Sequence, residues 1–194
     1  RGKLRLKGFR STNPVAVGDL VVVEYVDEDY LITRIHERRN FLLRRSTNLS
    51  KRSHVIAANV DQVLIIASLK APETSFTFID RILATCEANE LHAIIILNKV
   101  DLLSDSDADI DLLAEFCECY ESIGYQILLT SAQTDKGIEE LKAFLKDKTS
   151  LLTGHSGVGK SSLVNKVEEG LNLKTSIISE YHKTGTHTTT FAEM

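Results

Sequence analysis

The sequence predicts an α/β protein in which a parallel sheet with helices on both faces follows a small all-β domain. Beyond residue 55, short apolar runs alternate with longer segments of helical spacing, which is typical of βαβ units. Before residue 55, short β-branched runs are separated by turns, which is typical of strands. The parts also differ in charge: residues 1–55 hold 12 Lys/Arg and 6 Asp/Glu, the remainder 11 and 21.

The first predicted domain covers residues 1–55. Its runs KLRLKGF, NPVAVGDLVVVEYVD and DYLITRIHERRNFLLRR favour strands, and Asn13-Pro14 and Gly18-Asp19 are turn signals. Several short strands without a convincing helix indicate a small β-barrel or sandwich, of which the OB-fold is one instance. Its basic and aromatic residues favour contact with RNA over a surface that only maintains solubility. These residues are Arg34, Arg38, Arg39, Arg44, Arg45, Lys51, Arg52, Tyr25, Tyr30 and Phe41.

The second predicted domain covers residues 56–194. Continuous apolar runs predict buried strands at 63–68, 92–98, 125–130 and 149–154. Helical spacing predicts helices at 76–90, at about 109–123, from 137 to about 146, and from 160 onward. Right-handed crossovers between such strands give a parallel sheet covered on both faces.

Composition narrows the class of protein. The 194 residues are 43% hydrophobic and 26% charged, which is typical of soluble globular proteins. No segment approaches the roughly 18 apolar residues of a membrane span and no signal peptide is recognisable, so we expect a cytoplasmic protein without membrane contact. Cys86, Cys117 and Cys119 lie in predicted helices without zinc or disulfide spacing, so we expect reduced thiols.

The motif GHSGVGKSS matches G-x-x-x-x-G-K-[ST] between a predicted strand and a predicted helix. Its glycines let backbone N–H groups surround phosphate oxygens, and the helix N-terminus favours negative charge. Lys160 would neutralise the β- and γ-phosphates, and the Ser161 hydroxyl would bind Mg²⁺. The flanking strand and helix disfavour a chance match in a glycine-rich turn. The predicted phosphate site comprises Gly154, His155, Ser156, Gly157, Val158, Gly159, Lys160, Ser161 and Ser162.

A second motif, NKVD at 98–101, follows a predicted strand at the edge where open α/β sheets bind ligands. The Asp101 carboxylate can accept hydrogen bonds from the N1–H and amino groups of guanine, a pair that adenine does not offer. The Lys99 stem can lie along the base, and Asn98 can brace neighbouring loops. Ser131 and Ala132 follow the next strand, where a backbone N–H could approach guanine O6. Together these residues favour guanine over adenine.

A third segment, KTGTHTTT at 183–190, is suited to a mobile switch. A threonine there could complete Mg²⁺ coordination and sense the γ-phosphate. Thr189 is the preferred ligand, with Thr188 and Thr190 as alternatives. His187 could position the attacking water or be a polar surface residue, and the sequence leaves both open.

NKVD precedes TSA, GHSGVGKSS and HTTT along the chain, and IAANVDQVLII follows a basic β-rich segment. This order resembles that of the RsgA (YjeQ) family of circularly permuted GTPases, which depend on the bacterial small ribosomal subunit. The resemblance implies an OB-fold, a permuted P-loop GTPase domain and a C-terminal zinc domain. It implies that Asn98, Lys99 and Asp101 read guanine, with Ser131 and Ala132 completing the base pocket. Lys160 and His187 become the candidate catalytic residues.

The family implies GTP and GDP with Mg²⁺ as ligands, and hydrolysis that the 30S subunit stimulates. It implies a monomer that binds 16S rRNA late in small-subunit maturation. D-x-P-G and a Cys/His cluster do not occur up to Met194, so we expect the GTPase domain to be incomplete and the second switch and Zn²⁺ domain to lie outside the chain. Thr186 occupies a position at which members of the resembled family often have a basic residue.

Two other functions remain open on the sequence. One is an RNA-binding assembly factor whose nucleotide state gates its release, with hydrolysis incidental. The other, an ATP-dependent P-loop enzyme, is disfavoured by Asp101.

Overall fold

The structure is a computed structural model that describes residues 15–26, 29–45 and 53–168. These residues form eight strands and four α-helices. The strands are β1 (Val21–Val26), β2 (Asp29–Ile35), β3 (Phe41–Arg45), β4 (Ser53–Ala58), β5 (Gln62–Ala67), β6 (His92–Leu97), β7 (Gln126–Leu129) and β8 (Ser150–Gly154). The helices are α1 (Phe76–Glu87), α2 (Asp107–Glu121), α3 (Ile138–Leu145) and α4 (Lys160–Val167). None of these four helices has the length and apolar character that crossing a membrane requires.

A four-stranded parallel sheet forms the centre of the described residues, in the order β7-β6-β5-β8. Alternate side chains of its strands point to opposite faces. Val63, Ile65 and Ile95 belong to the core shared with α1 and α2, whereas Leu64 and Ile96 belong to the core shared with α3 and α4. The predicted parallel sheet with helices on both faces is thereby confirmed.

Helix boundaries differ from the predicted ones by a few residues, and local hydrogen bonds explain the differences. The first helix ends at Glu87 because Glu90 adopts a left-handed φ of 53° and the Leu91 N–H donates to the Cys86 carbonyl at 2.9 Å, a C-terminal capping arrangement. The second begins at Asp107 because the Ser106 side chain accepts from an N–H of the first turn.

The N-terminal strands form two antiparallel pairs, β1–β2 and β3–β4. We call the first pair, β1 and β2, the ribbon. A parallel bridge between Val17 and Ala57 connects the segment before the ribbon to β4. The predicted turn at Gly18-Asp19 is present, since the Asp19 N–H donates to the Ala16 carbonyl at 3.2 Å. The OB-fold and the domain boundary after residue 55 stay predictions, and β4 itself runs across that position.

The connection from β4 to the parallel sheet is held by side chains that bond to backbone. The Asn40 amide donates to the Val60 carbonyl at 2.8 Å and accepts from the Val60 N–H at 2.9 Å. The Asp61 N–H donates to the Thr149 carbonyl at 2.7 Å, and the Asp61 carboxylate accepts from the Thr149 N–H at 2.8 Å. These bonds align the starts of β5 and β8, so a short connection from α3 suffices to place β8 late in the chain beside β5.

Candidate nucleotide site

The predicted phosphate loop lies between β8 and α4, as its motif requires. Gly157 and Gly159 have φ angles of 84° and 99°, which favour glycine. A Cβ on Gly159 would collide with the side-chain nitrogen of Asn98. The loop therefore lies directly against the base motif, with no room for a larger residue at that point.

Lys160 folds back across the phosphate loop. Its Nζ donates to the carbonyl oxygens of Gly154 at 3.0 Å and His155 at 2.6 Å. Burial lowers the pKa of the Lys160 ammonium. A phosphate at the loop would offer this ammonium a charged acceptor, which forms stronger hydrogen bonds than a neutral carbonyl does. Ser161 and Ser162 follow in the first turn of α4, where a hydroxyl oxygen is a suitable Mg²⁺ ligand.

Asn98 connects three loops at the carboxyl edge of the sheet. Its side chain is buried, donates to the Val158 carbonyl of the phosphate loop at 2.8 Å and accepts from the Thr130 hydroxyl at 3.2 Å. Both ends of the amide are thus satisfied, which makes its burial favourable. The base motif and the phosphate loop are held in one fixed arrangement.

Asp101 lies in a short 3₁₀ turn, Val100–Leu102, which two residues separate from the end of β6. The Ser131 hydroxyl donates to Asp101 Oδ1. The same hydroxyl oxygen accepts from the N–H groups of Gln133 and Thr134 at 3.2 and 3.1 Å. These bonds fix the direction of an exposed carboxylate at the mouth of the predicted base pocket.

Lys99 lies between the base motif and the phosphate loop. It adopts a left-handed φ of 65°, and its Nζ donates to the Ala71 carbonyl oxygen. Its stem passes Gly159, where a Cβ would lie 3.9 Å from Lys99 Cε. Burial lowers the pKa of the Lys99 ammonium, and the neighbouring Asp101 carboxylate opposes this shift. The stem is therefore oriented before any ligand binds.

His155, in the phosphate loop, contacts Phe78 of α1. Its ring lies 3.7 Å from the ring of Phe78 between centroids, with 31° between the planes. Burial and the positive charge of Lys160 both lower the pKa of His155. The neutral imidazole is therefore favoured, and it packs as an aromatic surface against α1.

The structure brings together the predicted residues of both motifs that lie within 98–162. The predicted residues His187, Thr188, Thr189 and Thr190, and Thr186 with them, fall outside the described residues. Sequence reasoning missed the parts played by Thr130, Ala71 and Phe78. A buried threonine at the end of a strand, one residue before the predicted Ser131, was a usable signal for the first of these.

Clusters of metal-binding side chains are absent from the residues that the structure describes. In that part of the chain no three His, Cys, Asp or Glu side chains are grouped so as to hold a metal ion. Cys86 lies in α1 and Cys117 and Cys119 lie in α2, and all three are free thiols. The Zn²⁺ expectation concerned a domain outside the chain.

Known proteins are similar to this chain in sequence and in fold. A family model described as "RsgA GTPase" matches residues 35–194. The small ribosomal subunit biogenesis GTPase RsgA of Flavobacterium johnsoniae is 48% identical over 198 residues, which cover 100% of this chain and 60% of that protein. Its counterpart in Bacteroides fragilis is 47% identical over 195 residues, covering 100% and 62%. The chain thus spans about 60% of the length of these curated relatives.

Two solved structures are similar. YjeQ from Thermotoga maritima has a TM-score of 0.66 at 41% identity, over 91% of this chain and 58% of that chain. YloQ, described as a circularly permuted GTPase, has a TM-score of 0.57 at 33% identity, over 83% and 53%. In our structure too, the phosphate loop follows the base motif along the chain while both lie at one edge of the sheet. The chain belongs to the RsgA GTPase family.

Proposed function

We propose that the chain binds GTP and GDP with Mg²⁺ and hydrolyses GTP, as part of a factor that acts in biogenesis of the small ribosomal subunit. The observation that carries the proposal is the Asn98 side chain, which bonds the Val158 carbonyl and the Thr130 hydroxyl simultaneously. It holds the phosphate loop against the base motif, and that motif also carries the Asp101 carboxylate.

Each group in this site has a chemical role in the proposal. Asp101 accepts from the N1–H and amino groups of guanine, and Ser131 orients that carboxylate. Lys160 exchanges its backbone carbonyl partners for phosphate oxygens. Bound Mg²⁺ supplies charge neutralisation at the phosphates, and Ser161 and Thr189 are the residues we propose to hold it.

Hydrolysis in the proposal depends on positioning and charge neutralisation rather than on covalent chemistry. Lys160 stabilises the charge that develops on the transferred phosphoryl group, and His187 orients the attacking water. We expect the isolated protein to be slow, because ordering of a switch by the ribosomal partner completes the site.

The proposed partners are the small ribosomal subunit and its 16S rRNA, met in the cytoplasm by a monomeric protein. The relatives are named as small ribosomal subunit biogenesis GTPases, which supports the subunit as partner. Exposed Tyr25 and Tyr30 lie side by side on the ribbon with their ring centroids 5.2 Å apart, which suits stacking on unpaired bases. Arg38 and Arg39 are already paired with Asp19 and Asp61, so Arg34 is the better candidate for contact with RNA phosphate.

Exchange of the base-reading group tests the nucleotide part of the proposal. Asp101→Asn should weaken GDP binding at least about 100-fold, because an amide N–H then faces the donors of guanine. The same variant should gain affinity for xanthosine diphosphate, whose carbonyl accepts from that amide. Fluorescent nucleotide titration measures both affinities. Asp105→Asn, in the same exposed loop, is the matched control and should change neither.

Two outcomes would contradict the proposal. Unchanged GDP affinity in Asp101→Asn would show that Asp101 does not recognise guanine. Equal rates of GTP hydrolysis with and without small ribosomal subunits would show that the subunit does not stimulate hydrolysis.

A further inference from the structure

We propose that residues 68–75, which we call the support loop, orient Lys99 for nucleotide binding, and that Lys70 is the positioning residue that anchors this loop. The support loop connects β5 to α1 and lies beside the base motif. The inference rests on the proposed function, since it concerns the affinity of the same site for guanine nucleotides.

The anchor is an ion pair between Lys70 and Asp109. Lys70 Nζ lies 2.6 Å from Asp109 Oδ2. The Asp109 carboxylate is buried at the start of α2 and also accepts from the N–H and the hydroxyl of Ser104, at 2.7 and 2.6 Å. The bonds from Lys70 and Ser104 hold the pKa of Asp109 well below its usual range. Asp109 therefore binds the support loop to the segment that follows the base motif.

The support loop is closed by its own hydrogen bonds. The Thr74 N–H donates to the Ser68 carbonyl at 2.8 Å, and the Ser68 N–H donates to the Thr74 hydroxyl at 3.1 Å. Both residues are buried, and the Ser68 hydroxyl donates to the Lys70 carbonyl. Closed at its base and anchored at Lys70, the loop presents the Ala71 carbonyl in a defined position.

The Ala71 carbonyl is the acceptor for Lys99 Nζ. A lysine stem held at one end by its backbone and at the other by this carbonyl loses little further rotational freedom when a base packs on it. The same chain segment continues to Phe78, whose ring packs on His155 of the phosphate loop. Release of the anchor would thus loosen the surroundings of the base without touching any nucleotide contact.

Removal of the anchor should weaken nucleotide binding. We expect Lys70→Met to raise the Kd for GDP by about 3- to 10-fold, the size expected for loss of one charged hydrogen bond that acts through a neighbour. Lys70→Arg should recover most of the affinity because the guanidinium can still pair with Asp109. Lys142→Met removes a lysine from another ion pair, with Glu139 on α3, and should leave the Kd unchanged.

A double-mutant cycle separates positioning of Lys99 from general loss of stability. Lys99→Met should weaken binding by itself, and Lys70→Met added to it should cause no further loss. Multiplicative losses in the double variant would overturn the inference, as would an unchanged Kd in Lys70→Met. If Lys70→Met does not fold, Lys70→Gln serves in the same cycle. Failure of the unaltered protein to bind GDP would instead count against the proposed function.

Discussion

Apolar side chains are buried in the parallel sheet but largely exposed to solvent on the ribbon. All six residues of β5 are buried, and Ile65 and Ile66 are completely inaccessible. In β1 five of the six residues are exposed, and on the paired strand Tyr30 remains 76% exposed. Both segments are rich in β-branched residues, so residue type alone does not account for the difference.

The difference in exposure depends on what packs against the two faces of the sheet and the two faces of the ribbon. The sheet has helices on both sides, and a fully buried Ile or Leu there contributes about 1.5–3 kcal/mol. A two-stranded ribbon has no second layer of its own and is marginally stable in isolation. Stability is therefore concentrated in the sheet, while the ribbon has apolar and aromatic surface available for contact with a partner.

Truncation of one buried and one exposed strand residue gives the largest expected contrast. Ile95→Ala should reduce the free energy of unfolding by about 2–5 kcal/mol, because Ile95 is completely buried between the sheet and α1 and α2. Val23→Ala on the exposed ribbon should cost less than about 0.5 kcal/mol. Urea denaturation followed by circular dichroism measures both values. Similar losses would mean that the ribbon is packed as firmly as the sheet.

The sheet was predictable from sequence because a continuous apolar run has few alternatives. VLIIAS and HAIIILN have the length and β-branched content of buried parallel strands, and the structure places both within one residue of the predicted bounds. Helix ends were less accurate, because they depend on single capping bonds such as the one from the Leu91 N–H to the Cys86 carbonyl.

The site was predictable only where its residues are contiguous. GHSGVGKSS and NKVD each combine the needed groups within a few positions, so their chemistry is readable along the chain. The contact of Lys70 with Asp109 joins residues 39 positions apart, and that of Phe78 with His155 joins different elements. Neither pair forms a local pattern, since both depend on how the loops meet at the edge of the sheet.

Loss of the ion pair between Asp19 and Arg38, which flank the two strands of the ribbon and form what we call its root, should have an intermediate effect. Arg38 Nε and Nη2 donate to the two carboxylate oxygens of Asp19 at 2.6 and 2.7 Å, and the Asp19 side chain is 1% exposed. Arg38→Met should cost about 2 kcal/mol, because it leaves a buried carboxylate without its cation. Urea denaturation at pH 7 measures this cost, and Lys142→Met, in an exposed pair, should cost about 0.5 kcal/mol or less.

The cost of Arg38→Met should also depend on pH. Burial tends to raise the pKa of Asp19, but hydrogen bonds from Arg38 and the Ala16 N–H outweigh it and hold the pKa below its ordinary value of 3.8. The stability from this pair is therefore fully present above pH 3.8 and is lost as the pH falls through the lower folded-state pKa. The difference between the two proteins should narrow below that pH. A constant difference down to pH 2 would show that the pair does not act through the Asp19 charge.

Two glycines of similar backbone conformation test how closely the segment before the ribbon lies against β4. Gly18 and Gly124 have φ angles of 88° and 91°, so alanine at either position is strained by about 1 kcal/mol. A Cβ on Gly18 would overlap the Ala58 carbonyl oxygen, whereas a Cβ on Gly124 would have no neighbouring atom within 4 Å. Gly18→Ala should therefore destabilise by about 1 kcal/mol more than Gly124→Ala in paired urea titrations.

The comparison of the two glycines isolates the contact because the backbone strain cancels. An excess cost at Gly18 means that the root of the ribbon is fixed on the backbone of β4 even though the ribbon strands above it are exposed. Equal costs would mean that this segment can move away from β4 freely, and the polar bonds of Arg38 would then be too weak to hold it. In that case the exposed ribbon and the buried sheet would fold as separate units. An excess cost at Gly18 instead means that the ribbon is attached to β4 and folds together with the sheet.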